Sequence, residues 1–403
     1  MSPAAPVPFR SWWKPLSHTE YLATNRFPGL TGLRALAALA VVFFHYGGPA
    51  TTRLQGWIAV QLFFVLSGFL ITTLALREED RRGRISLRAF YLRRVFRIMP
   101  VYLLLLVLTT VAVAVAGTYW SSRLGDAMPF YLVFGNELVD YNTPYAVSWS
   151  LGVEEKFYFV WPALLVLTSF VRTGKTALRL MIGAGAVLGV VLLALPHTPG
   201  TTWANLSVHY CSLVIGCLLA LVLHHPRGFA VVRPLTSPAA GTVLALGFCV
   251  LQLSVEPLRD RLGGSWQYVT PIYAAGVAVL LIAVVTRGPV PRLLSSRPMT
   301  FVGDRSYALY LSQTGAAVLT GVVLPNGLAK AVATSGVALL FACALHRWVE
   351  TPAIAFGRSL ARRLPSRPAR NDGSGKDTDE REHAPGERAA VLSPPGPERS
   401  PRG

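Results

Sequence analysis

The chain has 403 residues, of which 52% are hydrophobic and only 14% are charged, yet its formal net charge is +18. A soluble domain carries about 25% charged residues, so this composition excludes a disordered chain and argues against an ordinary soluble enzyme. It also argues against a nucleic-acid-binding protein, which would combine its basic charge with a far more polar composition. We therefore predict a membrane protein with several spans.

Apolar segments that are long enough to cross a bilayer recur along the chain. A membrane-spanning helix needs about 20 predominantly apolar residues. We predict an all-α polytopic membrane protein with about ten transmembrane helices. The predicted spans are 29–46, 57–76, 99–117, 149–170, 180–196, 205–223, 238–254, 268–286, 306–324 and 328–346.

Lysine and arginine are unevenly distributed around these spans. With an inner N-terminus, the predicted inner segments up to residue 364 carry 24 of these residues and the outer loops carry five. Because cytoplasmic loops are enriched in lysine and arginine, we expect a multi-pass cell-membrane protein with both termini in the cytoplasm. The predicted domains are a cytoplasmic segment 1–28, a ten-span membrane domain 29–355, and a basic juxtamembrane segment with a disordered cytoplasmic tail over 356–403.

The first predicted span carries two ionisable residues, Arg34 and His45. Eleven positions at about 100° per residue place both on one helix face, about 16.5 Å apart along the axis. Ionisable groups within a membrane are costly and are therefore candidates for function. A cation and an imidazole along one stripe fit a channel for an anionic ligand. The alternative is a snorkelling arginine and an interfacial histidine.

The segment SLRAFYLRRVFRIMP, which leads into the third span, contains Arg94 and Arg97 three positions apart with aromatic residues interleaved. A partly buried arginine pair beside Arg34 would suit a polyanionic ligand such as a nucleotide phosphate. The general enrichment of inner loops in arginine is the alternative explanation.

The fourth span begins SWSLGVEEKFYFVWP and places Glu154 and Glu155 at a depth comparable to that of His45. A carboxylate near an imidazole can fix its tautomer and raise its basicity. Adjacent helical residues point about 100° apart, so only one glutamate can face His45, and Lys156 is a candidate partner for the other. A salt-bridged helix start at the membrane interface is the alternative.

Near the end of the chain, SYALYLSQTG places Tyr310 and Gln313 about one helical turn apart. Both are expected on the same wall of the protein, where they are candidates for contact with a substrate. The sequence contains no metal-binding set, Gly-rich phosphate loop or catalytic Ser-His-Asp spacing, so no metal cofactor is predicted.

Six motifs, in this order, resemble the membrane-bound acyltransferase family 3: the Arg-x10-His of the first span, FFVLSGFLIT, RRVFRIMPVY, SWSLGVEEKFYFVWP, SYALYL and VETP. The resemblance covers about residues 29–355. It implies an integral-membrane O-acyltransferase that uses cytosolic acyl-coenzyme A, commonly acetyl-CoA. The acceptor would be a hydroxyl of a carbohydrate, a glycolipid or a secondary metabolite such as a macrolide. Some relatives carry a fused extracytoplasmic domain, and this chain is expected to be of the stand-alone kind.

The resemblance also implies roles for particular residues. In that family the arginine and histidine of the first span are the essential pair, and they correspond here to Arg34 and His45. The arginines of the motif before the third span correspond to Arg94 and Arg97, which are expected to contact the acyl donor.

The conserved acid of the fourth-span motif corresponds to Glu154 or Glu155, and Glu154 occupies the position in the family's SLxxE pattern. Two positions depart from the family. Thr31 stands where members often have an acid, and Gln313 stands where many have a histidine. The second departure leaves hydrogen bonding to a substrate, rather than acid–base chemistry, as the expected role of Gln313.

These features combine into one hypothesis for the mechanism. Arg34, with the help of Arg94 and Arg97, holds the phosphates of coenzyme A. The pantetheine arm then carries the thioester to His45, which is oriented by one of the two glutamates and removes the proton of the acceptor hydroxyl. An acyl-His45 intermediate stays open as a variant. The alternative function is a ten-span transporter of an anion or envelope precursor, which would use the same charged residues.

Overall fold

The structure is a computed structural model that describes residues 13–24, 26–171, 173–197 and 201–363. Within these ranges the chain forms helices and no β-strand, which confirms the predicted all-α class. The predicted disordered tail beyond residue 363 lies outside the described residues. In chain order the α-helices are α1 His18–Ala23, α2 Pro28–Tyr46, α3 Pro49–Thr52, α4 Ala59–Arg82, α5 Leu87–Val115, α6 Leu124–Leu132, α7 Trp149–Ser169, α8 Lys175–Gly189, α9 Leu195–His197, α10 Thr202–His224, α11 Pro226–Val232, α12 Pro238–Leu253, α13 Val255–Arg261, α14 Trp266–Val285, α15 Pro289–Leu294, α16 Arg297–Asp304, α17 Ser306–Gly321, α18 Leu328–Leu345 and α19 Thr351–Arg363.

Seven helical segments of the described chain are long and apolar enough to cross a membrane. An eighth is obtained if Pro226–Thr236 and Pro238–Leu253, which are bent by 81° relative to each other, form one span. A multi-span membrane protein is thus supported, whereas the count of about ten remains a prediction. Two of the predicted spans have unusual sequences, since α7 carries three consecutive charged residues and α17 has only 16 residues.

Helices α4 and α10 cross at close range because both carry glycine at the crossing. A Cβ atom added to Gly68 would lie 1.9 Å from the backbone oxygen of Leu213, and one added to Gly216 would lie 2.0 Å from that of Val65. Small residues allow membrane helices to approach in this way. The crossing fixes the face of α4 that is turned away from α10.

Helix α2 makes similarly close contacts with α15 and α16. A Cβ atom on Gly32 would lie 1.8 Å from the backbone oxygen of Leu294, and one on Gly303 would lie 1.9 Å from that of Thr31. Helices α15 and α16 therefore pack directly against the first turns of α2. This contact sets the orientation of Arg34, which follows Gly32 by two positions.

The long connection between α5 and α7 is tied together by hydroxyl and amide groups. The Tyr102 hydroxyl donates to the backbone oxygen of Tyr131 at 2.7 Å, and the Asn136 amide donates to the Tyr102 hydroxyl at 2.9 Å and to Ser148 Oγ at 2.7 Å. The Tyr145 hydroxyl donates to the backbone oxygen of Tyr102 at 2.9 Å. These bonds place the beginning of α7 firmly beside α5.

A buried ion cluster joins α4, α7 and α8. Arg179 is fully buried, and each of its three guanidinium nitrogens donates a hydrogen bond. The acceptors are Glu79, Thr168, Ser169 and the backbone oxygen of Leu165. Lys175 Nζ adds a second ion pair to Glu79 at 2.9 Å. A buried charge is tolerated when it is paired and hydrogen-bonded in this way.

Candidate active site

A cavity of about 490 Å³ lies among α2, α4, α5, α7, α17 and α19. This volume is within the range of small-molecule sites, about 300–1,000 Å³. The α4 side chains that line it run from Val60 to Glu78, a rise of about 27 Å at about 1.5 Å per residue. The cavity therefore follows most of the length of one spanning helix.

The two ends of this cavity differ in chemistry. We call one the arginine end, which is lined by Glu78, Arg93, Arg94, Arg97 and Arg358. We call the other the hydroxyl end, which is lined by Val60, Phe63, Ser150 and Tyr310. Between them lie Arg34, Ser67, Glu154 and Tyr158.

At the arginine end, most of the cationic groups are available to a ligand. Arg93 pairs with Glu78 at 3.5 Å, and the Arg94 guanidinium lies 4.3 Å from the centre of the Tyr158 ring. Within the described part of the chain, neither Arg94 nor Arg97 donates a hydrogen bond to a protein group, and Arg34 makes none either. A guanidinium has five N–H donors that match phosphate oxygens bidentately. This end of the cavity is therefore suited to a polyanion.

Glu154 occupies the middle of the cavity, where hydroxyl groups hold both of its carboxylate oxygens. Ser67 Oγ donates to one oxygen at 3.4 Å, and the Tyr158 hydroxyl donates to the other. The Tyr158 hydroxyl also lies 3.1 Å from Ser67 Oγ. Arg34 and Arg94 act on the carboxylate electrostatically. Tyr158 was not among the predicted site residues, although its i,i+4 spacing from Glu154 places the two on one helix face.

At the hydroxyl end, Ser150 Oγ donates to the Tyr310 hydroxyl at 3.3 Å, and the rings of Phe63 and Tyr310 lie 6.2 Å apart. Gln313 does not share this wall, contrary to the prediction. It is fully buried, its amide nitrogen donates to the backbone oxygen of Tyr310 at 2.9 Å, and its Oε1 has no hydrogen-bond partner among the described residues. The prediction fails because the side chain folds back along its own helix.

His45 does not line the cavity, although Arg34 does. It is the penultimate residue of α2, it is exposed, and its ring contacts those of Phe44 at 5.2 Å and Tyr46 at 5.9 Å. The expected single channel is interrupted because the intervening turn of α2, including Val41, is buried in the apolar core. Arg34 and His45 therefore do not line the same cavity, although helical periodicity places them on one face of α2.

The predicted contact between a fourth-span glutamate and His45 is also wrong. Glu154 faces the cavity, whereas Glu155 does not line it, and neither carboxylate acts on the His45 imidazole. Lys156 pairs with Glu137 of the α5–α7 connection at 2.7 Å rather than with Glu155. The first turns of α7 pack beside α4, where the rings of Trp149 and Phe64 lie 5.9 Å apart.

Glu350 is a further charged group near the site, and no role was predicted for it beyond its place in the VETP motif. It is only 2% exposed, one of its carboxylate oxygens lies 3.0 Å from His346 Nδ1, and it acts electrostatically on Arg34 and Arg97. His346–Glu350 forms a π-helical turn, a feature found frequently at functional sites. It supplies a second buried carboxylate near the arginines.

The arrangement as a whole fits an elongated ligand. Cationic groups lie at one end, a carboxylate between two hydroxyls lies in the middle, and a neutral, mostly apolar pocket lies at the other end. Over the described ranges, no group of three or more histidine, cysteine or acidic side chains could hold a metal ion. The cavity therefore suits a ligand with a polyanionic head and an uncharged tail.

Comparison with known proteins gives concordant matches. Residues 27–347 match the model of acyltransferase family 3, which is described as an acyltransferase domain. The peptidoglycan O-acetyltransferase OatA of Listeria monocytogenes is 31% identical over 84% of this chain and 57% of its own length. A Bacillus subtilis protein provisionally named peptidoglycan O-acetyltransferase YrhL is 30% identical over 70% of this chain and 47% of its own length.

A Staphylococcus aureus protein provisionally named as an O-acetyltransferase is 27% identical over 73% of this chain and 51% of its own length. The chain thus spans about half the length of the curated relatives it matches. No solved structure matches it.

Proposed function

This chain belongs to acyltransferase family 3, and from that premise we propose that it transfers an acyl group from acyl-coenzyme A to a hydroxyl group. The observation that carries the proposal is the cavity itself. At one end the side chains of Arg94 and Arg97 donate no hydrogen bond to any described residue, and at the other end lies a neutral pocket. Coenzyme A thioesters have this polarity, since the phosphates lie at one end and the acyl group at the other. The transferred group is acetyl or another short acyl chain, in keeping with the O-acetyltransferase names of the relatives.

We propose a carbohydrate hydroxyl as the acceptor. Two of the relatives are named for peptidoglycan, which is a glycan. A glycolipid or a glycosylated secondary metabolite such as a macrolide presents the same chemical group. These acceptors are distinguished by the mass of the acylated product, because each would gain one acyl unit on a different scaffold.

The donor phosphates are bound by Arg34, Arg94 and Arg97. Each charge-assisted hydrogen bond to a phosphate contributes about 1.5–3 kcal/mol. Glu154 takes a role that differs from the one predicted from the sequence. It balances the charge of Arg34 and Arg94 within the cavity and is itself held by the Ser67 and Tyr158 hydroxyls.

His45 acts on the acceptor side of the reaction. It lies about 16.5 Å from Arg34 along the axis of α2, so donor and acceptor approach the reacting centre from opposite ends. This role requires the acceptor hydroxyl to reach both the imidazole and the thioester, which the buried turn of α2 around Val41 separates in this structure. The imidazole then removes the proton of the acceptor hydroxyl as the oxygen attacks the thioester. Transfer through an acyl-His45 intermediate is the variant of this mechanism, and trapping of a covalent adduct would distinguish it from direct transfer.

The test uses the full chain in detergent with acetyl-CoA and soluble peptidoglycan fragments, and it follows thiol release and the mass of the product. General-base catalysis contributes about 10²–10⁴-fold, so His45→Ala should lose that factor while it remains folded. His225→Ala, which changes a histidine outside the cavity, is the matched control. Full activity of His45→Ala would refute the role of His45. Uptake of an anion by proteoliposomes without any acyl-CoA turnover would favour the transporter function instead.

A further inference from the structure

We propose that the hydroxyl end of the cavity is the acyl-group pocket, in which Tyr310 donates a hydrogen bond to the thioester carbonyl and Phe63 limits the length of the acyl chain. This inference rests on the proposed function, because it specifies where the acyl group of the donor lies. It assigns a substrate-contacting role to Tyr310, a positioning role to Ser150 and a specificity role to Phe63.

The Tyr310 hydroxyl has a proton to donate and faces the cavity. Tyr310 is only 7% exposed, and its oxygen accepts the hydrogen bond from Ser150. A phenol has one donor and can also accept, so accepting from Ser150 leaves its own proton for another partner. No other described residue accepts that proton. An unmade hydrogen bond in a buried site is costly, and the carbonyl oxygen of a bound thioester would satisfy it.

The other side chains that line this end are apolar. Val60, Phe63 and Leu151 line it, and the Phe63 ring stands next to that of Tyr310. Beyond Val60, α4 begins with residues that are buried in the core, such as Ala59 at 4% exposure. An acyl chain that extends from the carbonyl therefore meets the Phe63 ring, and a longer chain would have to displace it. Close-packed interiors resist such insertion.

The chemistry of the transfer uses the same donor. The acceptor oxygen forms a bond to the carbonyl carbon, the carbon–sulfur bond breaks, and the proton of the acceptor hydroxyl ends on the sulfur of coenzyme A. In between, the carbonyl oxygen carries negative charge. The Tyr310 hydroxyl stabilises that charge more strongly than it stabilises the neutral carbonyl, so it lowers the barrier rather than only tightening donor binding.

The first experiment separates turnover from binding. Removal of one donor to such an oxyanion lowers kcat by about 10²–10³-fold, so Tyr310→Phe should lose this factor in thiol release from acetyl-CoA with little change in KM. Ser150→Ala should show a smaller loss of the same kind, because the Tyr310 hydroxyl remains but is less well oriented. Tyr268→Phe, outside the cavity, is the matched control. A Tyr310→Phe variant with an unchanged kcat, or with a loss confined to KM, would overturn the assignment.

The second experiment tests the length limit. The variants Phe63→Ala and Phe63→Leu are assayed with acetyl-, butyryl-, hexanoyl- and octanoyl-CoA. One methylene in an apolar pocket changes selectivity by about 10–200-fold, so Phe63→Ala should raise the ratio of kcat/KM for hexanoyl-CoA over acetyl-CoA at least about tenfold. Phe63→Leu should lie between Phe63→Ala and the wild type, and it is available if the alanine variant does not fold.

Phe341→Ala is the control for this series, because Phe341 is 37% exposed on α18 and does not line the cavity. An unchanged chain-length preference in folded, active Phe63 variants would overturn the proposed role of Phe63. Failure of the proposed function looks different, since the wild type would then neither bind coenzyme A nor release thiol from any of the four thioesters. The two failures are therefore distinguishable in one set of assays.

Discussion

Two clusters of arginine and glutamate lie among the packed helices, and they are built in opposite ways. Around Arg179 the guanidinium is fully buried, each of its nitrogens is hydrogen-bonded, and Glu79 receives a second cation. In the second cluster, the guanidinium groups of Arg34, Arg94 and Arg97 line a cavity and donate no hydrogen bond to the described protein. Glu154 beside them is held by hydroxyl groups. The residue types are the same, but the first cluster is saturated, meaning that its guanidinium donors are hydrogen-bonded to protein groups, and the second is not.

This difference indicates what each cluster does. A saturated buried ion pair can contribute to the fold, but it has no donor left for a ligand. An unsaturated cationic cluster within a membrane is costly unless it has a function. We therefore expect substitutions in the first cluster to change stability and substitutions in the second to change ligand binding. The variants that follow test this division.

The largest change in free energy is expected for Arg179→Met, and it is a loss of folding stability. The variant leaves the buried Glu79 carboxylate with Lys175 as its remaining ion partner, and breaking a buried pair costs about 3–5 kcal/mol. Denaturant unfolding of the detergent-solubilised chain should show this loss. The loss should be partly relieved when Glu79→Gln is added, because the two residues are coupled. A midpoint equal to that of the wild type would show that this cluster is not structural.

Arg34→Met makes the same chemical change in the other cluster. It removes a charge-assisted hydrogen bond to phosphate, worth about 1.5–3 kcal/mol, so the affinity for coenzyme A should fall by about 10–150-fold. The unfolding midpoint should stay at the wild-type value. Titration calorimetry measures the first quantity and thermal unfolding the second. If Arg34→Met lowers the unfolding midpoint as much as Arg179→Met does, the assignment of stability to one cluster and ligand binding to the other is wrong.

Glu154→Gln should change affinity in the opposite direction. The Glu154 carboxylate lies among the arginines that are proposed to bind phosphate, so removal of its charge relieves a repulsion. We expect coenzyme A to bind about 3–10-fold more tightly. Glu79→Gln, the matched change in the saturated cluster, should leave coenzyme A affinity unaltered. Weaker binding by Glu154→Gln would argue against phosphate at this position.

The smallest effect is expected for Ser67→Ala. Its hydrogen bond to Glu154 is long, at 3.4 Å, and Tyr158 still holds the other carboxylate oxygen. A weak neutral donor contributes about 0.5 kcal/mol, so turnover should fall only about twofold. A loss as large as that of Arg34→Met would mean that Ser67 contacts the substrate directly.

Much of the fold followed from the sequence because its signals are local. Apolar runs of about 20 residues indicate membrane-spanning helices, and the all-α class was predicted on that basis. Arg34, Arg94 and Glu154 line one cavity, whereas Glu154 had been predicted to lie beside His45. The predicted number of membrane spans is not confirmed. Two of the predicted spans do not have the length and apolar composition of a spanning helix, since α7 carries charges within its first two turns and α17 has 16 residues.

The separation of His45 from the cavity could not be predicted from the sequence. Helical periodicity places Arg34 and His45 on one face, but whether the turn between them lines a cavity or packs in the core depends on distant helices. The pairing of Lys156 with Glu137 depends likewise on how the α5–α7 connection folds back. The Arg179 cluster was missed because its residues are about 100 positions apart in the chain from Glu79.

The central claim is that Arg34 and the arginine end of the cavity together hold coenzyme A, and an equilibrium titration tests it most directly. Coenzyme A is titrated against the full chain and against a folded variant in which Arg34 and Arg97 are both methionine. We predict one coenzyme A per wild-type chain and a loss of affinity of more than about 100-fold in the double variant. Equal affinity in the two proteins, or no binding by the wild type, would contradict it.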